Sequence, residues 1–243
     1  MTQVVLLHAF PVNRHLWDAQ VEYLTKAGFK VTAPDIAGFG ESRIPQDPSM
    51  ALMAEQVLSH VSRPAVFAGL SMGGYLLMEI LRQAPDIVTG AIFMDTKASA
   101  DTAAAREQRL RVAGEVLAAD HTRDLADAML PNLLGATTIA QRPEVVQTVR
   151  GWIEQAPPEA VASAQRAMAD RPDSAPTLRN YEGPAVVLWG DEDVISPTAD
   201  QKAMLEMMPQ AVARQIPRAG HLSAVEDPGA VNDVLLEVLT DWA

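Results

Sequence analysis

The chain contains no cysteine among its 243 residues, which excludes disulfides, thiolate metal sites and a cysteine nucleophile. It also lacks an apolar run long enough to span a bilayer. Its first residues, MTQVVLLHAF, offer neither a basic leader nor a small-residue cleavage site. These absences predict a cytoplasmic protein with no membrane partner. Positive charge is scarce, with 19 Lys and Arg against 31 Asp and Glu and a net charge of -12. A surface that tracks phosphates needs the opposite balance, so no nucleic-acid partner is expected. His15, His60 and His121 are scattered without ligand spacing, and no metal is expected. Asp35 with Gly38 and Gly40 begins to look like a dinucleotide loop, but Arg43 stands in the third glycine's place and no helix opens there. No cofactor is expected.

What the chain does have is apolar residues, 48% of the total, enough for one sizeable core. Short apolar runs rich in β-branched residues recur at 4–7, 30–33, 65–68, 91–94, 185–189 and 212–216. They lack polar/apolar alternation, as strands buried on both faces do. Helical patterns lie between them at 16–27, 50–61, 72–83, 198–208 and 229–242. Strands alternating with helices predict an α/β fold, a mainly parallel sheet with helices on both faces.

One stretch breaks the alternation. Between 98 and 174 no strand is legible, only amphipathic segments at 101–119, 122–134, 143–155 and 158–169. Pro143 followed by Glu144, and Pro158 followed by Glu159, mark two of the starts. The pattern predicts a helical cap at 98–174 inserted into a core made of 1–97 and 175–243. The proline-rich segment ADRPDSAP, 169–176, is expected to return the chain to the sheet.

The chemistry concentrates in AGLSMGGY, 68–75, where three glycines surround Ser71 between an expected strand and an expected helix. Glycine at such a boundary suggests a backbone conformation that a Cβ would forbid. Gly69-Leu70-Ser71-Met72-Gly73 fits G-x-S-x-G, and a strand before with a helix after is the context that the motif requires. The plainer reading is that Ser71 only caps the helix. A serine hydroxyl becomes a nucleophile when a base takes its proton and an acid holds that base. This topology places the acid and then the histidine downstream on loops that follow strands. Gly190-Asp191-Glu192-Asp193 and Ala219-Gly220-His221 are such loops. Asp191, Glu192 and Asp95, which follows the strand at 91–94, remain alternative acids.

The chain resembles the α/β-hydrolase superfamily, and within it the 3-oxoadipate enol-lactonase and small carboxylesterase group. The resemblance rests on LLHAFP (6–11) with Trp17 after it, APDIAGFGES (33–42), GLSMGGY (69–75), GDEDVISP (190–197) and AGHLSAVEDP (219–228). It implies Ser71 as nucleophile, His221 as general base and acid, and Asp193 as the orienting carboxylate, fourth in a G-x-x-D-x-x-x-P pattern. It also implies an oxyanion hole from the backbone N–H groups of Phe10 and Met72. Ala9 stands where the family usually has glycine. Family sheets usually begin with two antiparallel strands before this first one, so six strands are expected rather than eight.

On this reading His8 props the oxyanion loop. The cap supplies the pocket, with Met129, Leu133, Trp152 and Leu222 as candidate lining. Lys97 and Arg14 are the cations available to a carboxylated substrate. The implied activity is a serine hydrolase of small-molecule esters or lactones, of the EC 3.1.1 type. The same residues serve perhydrolase, thioesterase and carbon–carbon hydrolase chemistry, and a ligand-binding or biosynthetic accessory protein can retain them.

Overall fold

The computed structural model describes residues 2–45, 48–61 and 63–242. Its sheet has six parallel strands: β1 (Gln3–Leu7), β2 (Lys30–Thr32), β3 (Ala65–Leu70), β4 (Val88–Met94), β5 (Ala185–Gly190) and β6 (Val212–Ile216). They lie in the order β2-β1-β3-β4-β5-β6, so the chain reverses its direction of travel between β1 and β3, where Leu7 pairs with Gly69. A crevice opens at the carboxyl ends of the strands at such a reversal, and ligands of open α/β sheets bind there.

Alternate residues of the central strands feed two cores. Val5, Leu7, Phe67, Ala91, Phe93 and Val187 face one side, with α2 (Met50–Leu58), α3 (Met72–Gln83) and α10 (Thr198–Met207). Val4, Leu6, Val66, Ala68, Ile92, Met94 and Val186 face the other, with α1 (Asp18–Lys26) and α12 (Pro228–Asp241). Met204 and Met208 are fully buried in the first core. Helix starts follow their caps: Ser49 Oγ accepts from Leu52 N at 3.1 Å, and an Asp227 carboxyl oxygen accepts from Ala230 N at 3.0 Å. From Met72 to Leu81 every residue of α3 is buried, because the helix is enclosed by sheet, cap and α2.

The expectation that all strands are buried on both faces fails at the edges. β2 and β6 are partly exposed, since each has one neighbour only. Lys30 and Arg214, on those strands, place charge where an open edge would otherwise invite pairing with another chain.

The helical insertion between β4 and β5 comprises α4 (Ala103–Ala119), α5 (Arg123–Leu133), α6 (Ala136–Gln141), α7 (Pro143–Glu154) and α8 (Pro158–Ala169). Prolines open α7 and α8, at the positions read from the sequence. The six-residue α6 escaped the sequence reading, being too short to show periodicity. The segment expected to lead back to the sheet instead turns through α9 (Ala175–Arg179) first, and α11 (Ser223–Glu226) is a further short helix. The first helix also starts differently: a 3-10 turn, Arg14–Trp17, precedes α1.

Candidate active site

Ser71 follows the last residue of β3 and precedes the first of α3. Its backbone sits at φ 55° and ψ −111°, a region that L side chains rarely occupy. The neighbouring glycines Gly69, Gly73 and Gly74 do not share this positive φ. They are required for close approach: a Cβ on Gly69 would lie 2.2 Å from Gly73 O, and one on Gly73 would lie 2.1 Å from Leu7 O. Strain therefore rests on the serine, and the glycines let β3, α3 and β1 close around it. Thr96 Oγ1 donates to Ser71 O at 2.9 Å and fixes the serine's own peptide group.

The Ser71 side chain makes no capping hydrogen bond to α3. Its Oγ instead lies 2.8 Å from His221 Nε2. His221 Nδ1 lies 2.8 Å from Asp193 Oδ2, so a proton on Nδ1 donates to the carboxylate and leaves Nε2 to accept from the serine. Asp193 Oδ2 also accepts from Ser196 Oγ at 2.6 Å, and Oδ1 accepts from the N–H groups of Ile195 and Ser196 at 2.8 and 3.1 Å. Burial raises the Asp193 carboxyl, but His221 and the Ser196 donors outweigh it and hold the group at about 2.

The other carboxylates weighed as acids are engaged elsewhere. Asp191 Oδ1 accepts from Arg218 N, and Glu192 accepts from Thr137 N and Oγ1. Asp95 is fully buried, accepts from Gly190 N at 2.9 Å and bonds Ser223 Oγ at 2.5 Å. Burial, and then the charge of Asp193, push the Asp95 carboxyl well above the usual range. The two neighbouring buried acids are thus driven in opposite directions, Asp193 down and Asp95 up.

Phe10 follows β1 across the crevice from Ser71, and Met72 opens α3. Neither backbone N–H donates to a protein acceptor among the described residues. His8 Nε2 accepts from Ile36 N and its Nδ1–H donates to Ala9 O, both at 2.9 Å, which ties the first loop to the segment after β2. Burial lowers His8 to about 4, so the ring is neutral.

Leu133 and Leu222 are buried in one apolar cluster with Ala9 and Val12, and Met129 and Trp152 pack against it. Trp152 also lines a cleft of about 160 Å³ with Val12, Asn13, Phe39, Gly40 and Gln155. Arg14 pairs with Glu41 at 3.0 Å and with Asp35 at 3.6 Å. Lys97 is half-buried. Ser196 and Glu226 stand inside the motifs GDEDVISP and AGHLSAVEDP and Thr96 directly after Asp95, but no spacing singled them out: Thr96 meets Ser71 O and Glu226 meets Gly135 N only once distant segments are brought together. Among the described residues no cluster of three or more His, Asp or Glu could hold a metal ion, and no helix is long and apolar enough to cross a membrane.

The model of the Alpha/beta hydrolase family matches residues 4–234. A thermophilic esterase from Thermogutta terrifontis, solved with malate bound, shares 38% identity at a TM-score of 0.95, covering 100% of this chain and 90% of that one. An enol-lactonase from Burkholderia xenovorans shares 25% identity at a TM-score of 0.88, with 98% and 91% covered. Among curated relatives, the pimeloyl-(acyl-carrier protein) methyl ester esterase of Yersinia pseudotuberculosis is 25% identical over 240 residues, covering 96% of this chain and 91% of its own length.

Proposed function

The chain belongs to the alpha/beta hydrolase family, and from that premise we propose that it is a serine hydrolase cleaving an ester or lactone of a small molecule through an acyl-enzyme on Ser71. The observation that carries this reading is the unbroken line Ser71 Oγ, His221 Nε2, His221 Nδ1, Asp193 Oδ2, with both links at 2.8 Å and the serine held at positive φ. A structural N-cap serine would need neither the histidine nor the strain.

In the proposed reaction His221 Nε2 takes the Ser71 proton as Oγ bonds to the substrate carbonyl carbon. The charge that develops on the carbonyl oxygen is met by the Phe10 and Met72 N–H groups and by the positive end of α3. Asp193 stabilises the imidazolium and holds its tautomer. His221 then gives the proton to the leaving alkoxide, and the ester C–O bond breaks. In the second half a water takes the serine's part: it loses a proton to His221, adds to the acyl carbon, and Ser71 leaves with that proton while the acid departs. For a lactone the leaving oxygen remains tethered to the acyl group, and the same steps apply.

The proposed division of the molecule is a core of 1–97 and 175–243 with a cap of 98–174. Ser174 N donates to Ala98 O at 2.9 Å, so the two ends of the cap meet. Met129, Leu133, Trp152 and Leu222 are the proposed pocket walls. The names of the esterase and enol-lactonase neighbours support ester and lactone substrates.

A panel of short-chain p-nitrophenyl esters and small lactones, run on wild type and Ser71→Ala, tests the reading. Wild type turns over at least one ester or lactone and is labelled by an alkyl phosphonate at Ser71, whereas Ser71→Ala loses both. Hydrolysis unchanged in Ser71→Ala would overturn it.

A further inference from the structure

Glu226 lies five positions after His221 in the sequence, closes α11, and is fully buried. Acyl transfer as derived above makes no use of it. Burying a carboxyl group is costly unless its oxygens are satisfied, and here every bond it makes concerns the histidine loop or the cap. Its Oε1 accepts the N–H of Gly220 at 2.9 Å and that of Leu222 at 3.1 Å, the residues on either side of His221. Its Oε2 accepts the N–H of Gly135 at 2.7 Å, just before α6 of the cap.

The glycines show how close the two segments run. A Cβ on Gly220 would lie 2.2 Å from Gly135 N, and one on Gly135 would lie 2.8 Å from Gly220 N. Beside them Glu192, next to the acid Asp193, takes Thr137 N at 2.8 Å and donates its own N–H to Ala219 O at 2.8 Å. The first turn of α6 is thus gripped by a carboxylate from each of the loops that carry Asp193 and His221.

We propose that Glu226 is a positioning residue: it fixes the peptide groups flanking His221 so that the imidazole reaches Ser71 and Asp193 together, and it registers that loop against the cap through Gly135. Its kinetic consequence rests on the serine-hydrolase reading; the placement of the ring does not. The cap segment around Gly135 and the histidine loop then behave as one unit, and displacement of one misaligns the other.

Glu226→Gln keeps the shape but points an amide NH₂ at one of the three N–H groups. In this variant the low-field proton resonance of the His221–Asp193 hydrogen bond is expected to shift or vanish. The kcat per phosphonate-titrated Ser71 falls about a hundredfold, the scale of a small misplacement of a catalytic group, with KM little changed. A lowered Tm with the wild-type resonance and wild-type kcat per titrated site would make Glu226 a mere stabiliser and overturn the proposal. Gly135→Ala, which leaves every residue of the histidine loop intact, is expected to reproduce the loss in milder form. No change in either readout there overturns the link through the cap, and this variant decides if Glu226→Gln does not fold. Should wild type hydrolyse no ester, the resonance arm still tests the positioning, so the two failures are distinct.

Discussion

Ser71 holds a backbone conformation that costs on the order of 1–3 kcal/mol for a residue with a Cβ, and its hydroxyl gains in exchange a place in line with His221. Ser71→Gly should therefore be more stable than Ser71→Ala by about 1 kcal/mol, since glycine tolerates positive φ; urea unfolding of both variants measures the difference, and neither should hydrolyse esters. Asp193 is held ionised at about 2 through His221 and Ser196 against the effect of burial. Asp193→Asn keeps the shape but favours the wrong histidine tautomer, and kcat should fall about 10⁴-fold. Ser196→Ala removes a single donor to the same oxygen and should cost about tenfold, the scale of one hydrogen bond to a charged group. Equal losses in the two variants, read by steady-state kinetics, would contradict the roles assigned to them.

Between elements the decisive contacts are those where backbones touch and where the cap joins the core. Gly73 lets α3 approach the Leu7 carbonyl of β1, so the strand that leads to Phe10 and the helix that begins with Met72 meet at one point. At the base of the cap Arg171, which follows α8, is buried and donates to Met168 O and Ser99 O, each at 2.9 Å. It pairs with Asp101, ahead of α4, at 2.7 Å and stacks over Tyr75 of α3, 4.1 Å from the ring centre. One side chain thus joins both ends of the helical insertion to α3, the helix that begins directly after Ser71. Arg171→Ala would leave the Asp101 carboxylate with Arg109 as its remaining ion-pair partner, so the cost expected is that of one charged hydrogen-bond partner, about 1.5–3 kcal/mol of unfolding free energy. Thermal and urea denaturation give that number.

At the scale of the molecule, stability against acid follows from groups that titrate differently when folded. His8 has its pKa lowered by burial from 6.5 to about 4. Above about 6.5 neither folded nor unfolded His8 carries the proton; between about 6.5 and 4 only the unfolded chain takes it up, so stability falls as pH falls. The full loss is about 3 kcal/mol, reached near pH 4. Asp95, raised by burial and by Asp193, acts in the opposite sense, taking up its proton in the folded state first. Comparing urea unfolding of wild type and His8→Gln from pH 7 to pH 4 isolates the histidine: the variant should lose less stability over that range, and parallel curves would contradict the assignment.

The order of strands and helices, the proline-opened starts of α7 and α8 and the helical character of the insertion were legible in the residues, because each depends on periodicity and on first-turn residues that neighbours in sequence supply. So were the loops bearing Ser71, Asp193 and His221, since a strand end followed by glycine and a polar residue is a local pattern. The exposure of β2 and β6 was not legible, because being an edge is a property of sheet order and not of the strand. Nor was the choice among Asp191, Glu192, Asp193 and Asp95 as the carboxylate beside His221, nor the tie from Glu226 through Gly220 and Leu222 to Gly135. Those are decided by distances between residues 28 and 91 positions apart, which exist only once the sheet has brought its carboxyl ends together. Sequence by itself determined which chemistry-bearing groups were present and on which loops; the tertiary structure decided which of them meet, because a hydrogen bond is a matter of a few tenths of an ångström that no spacing along the chain can set.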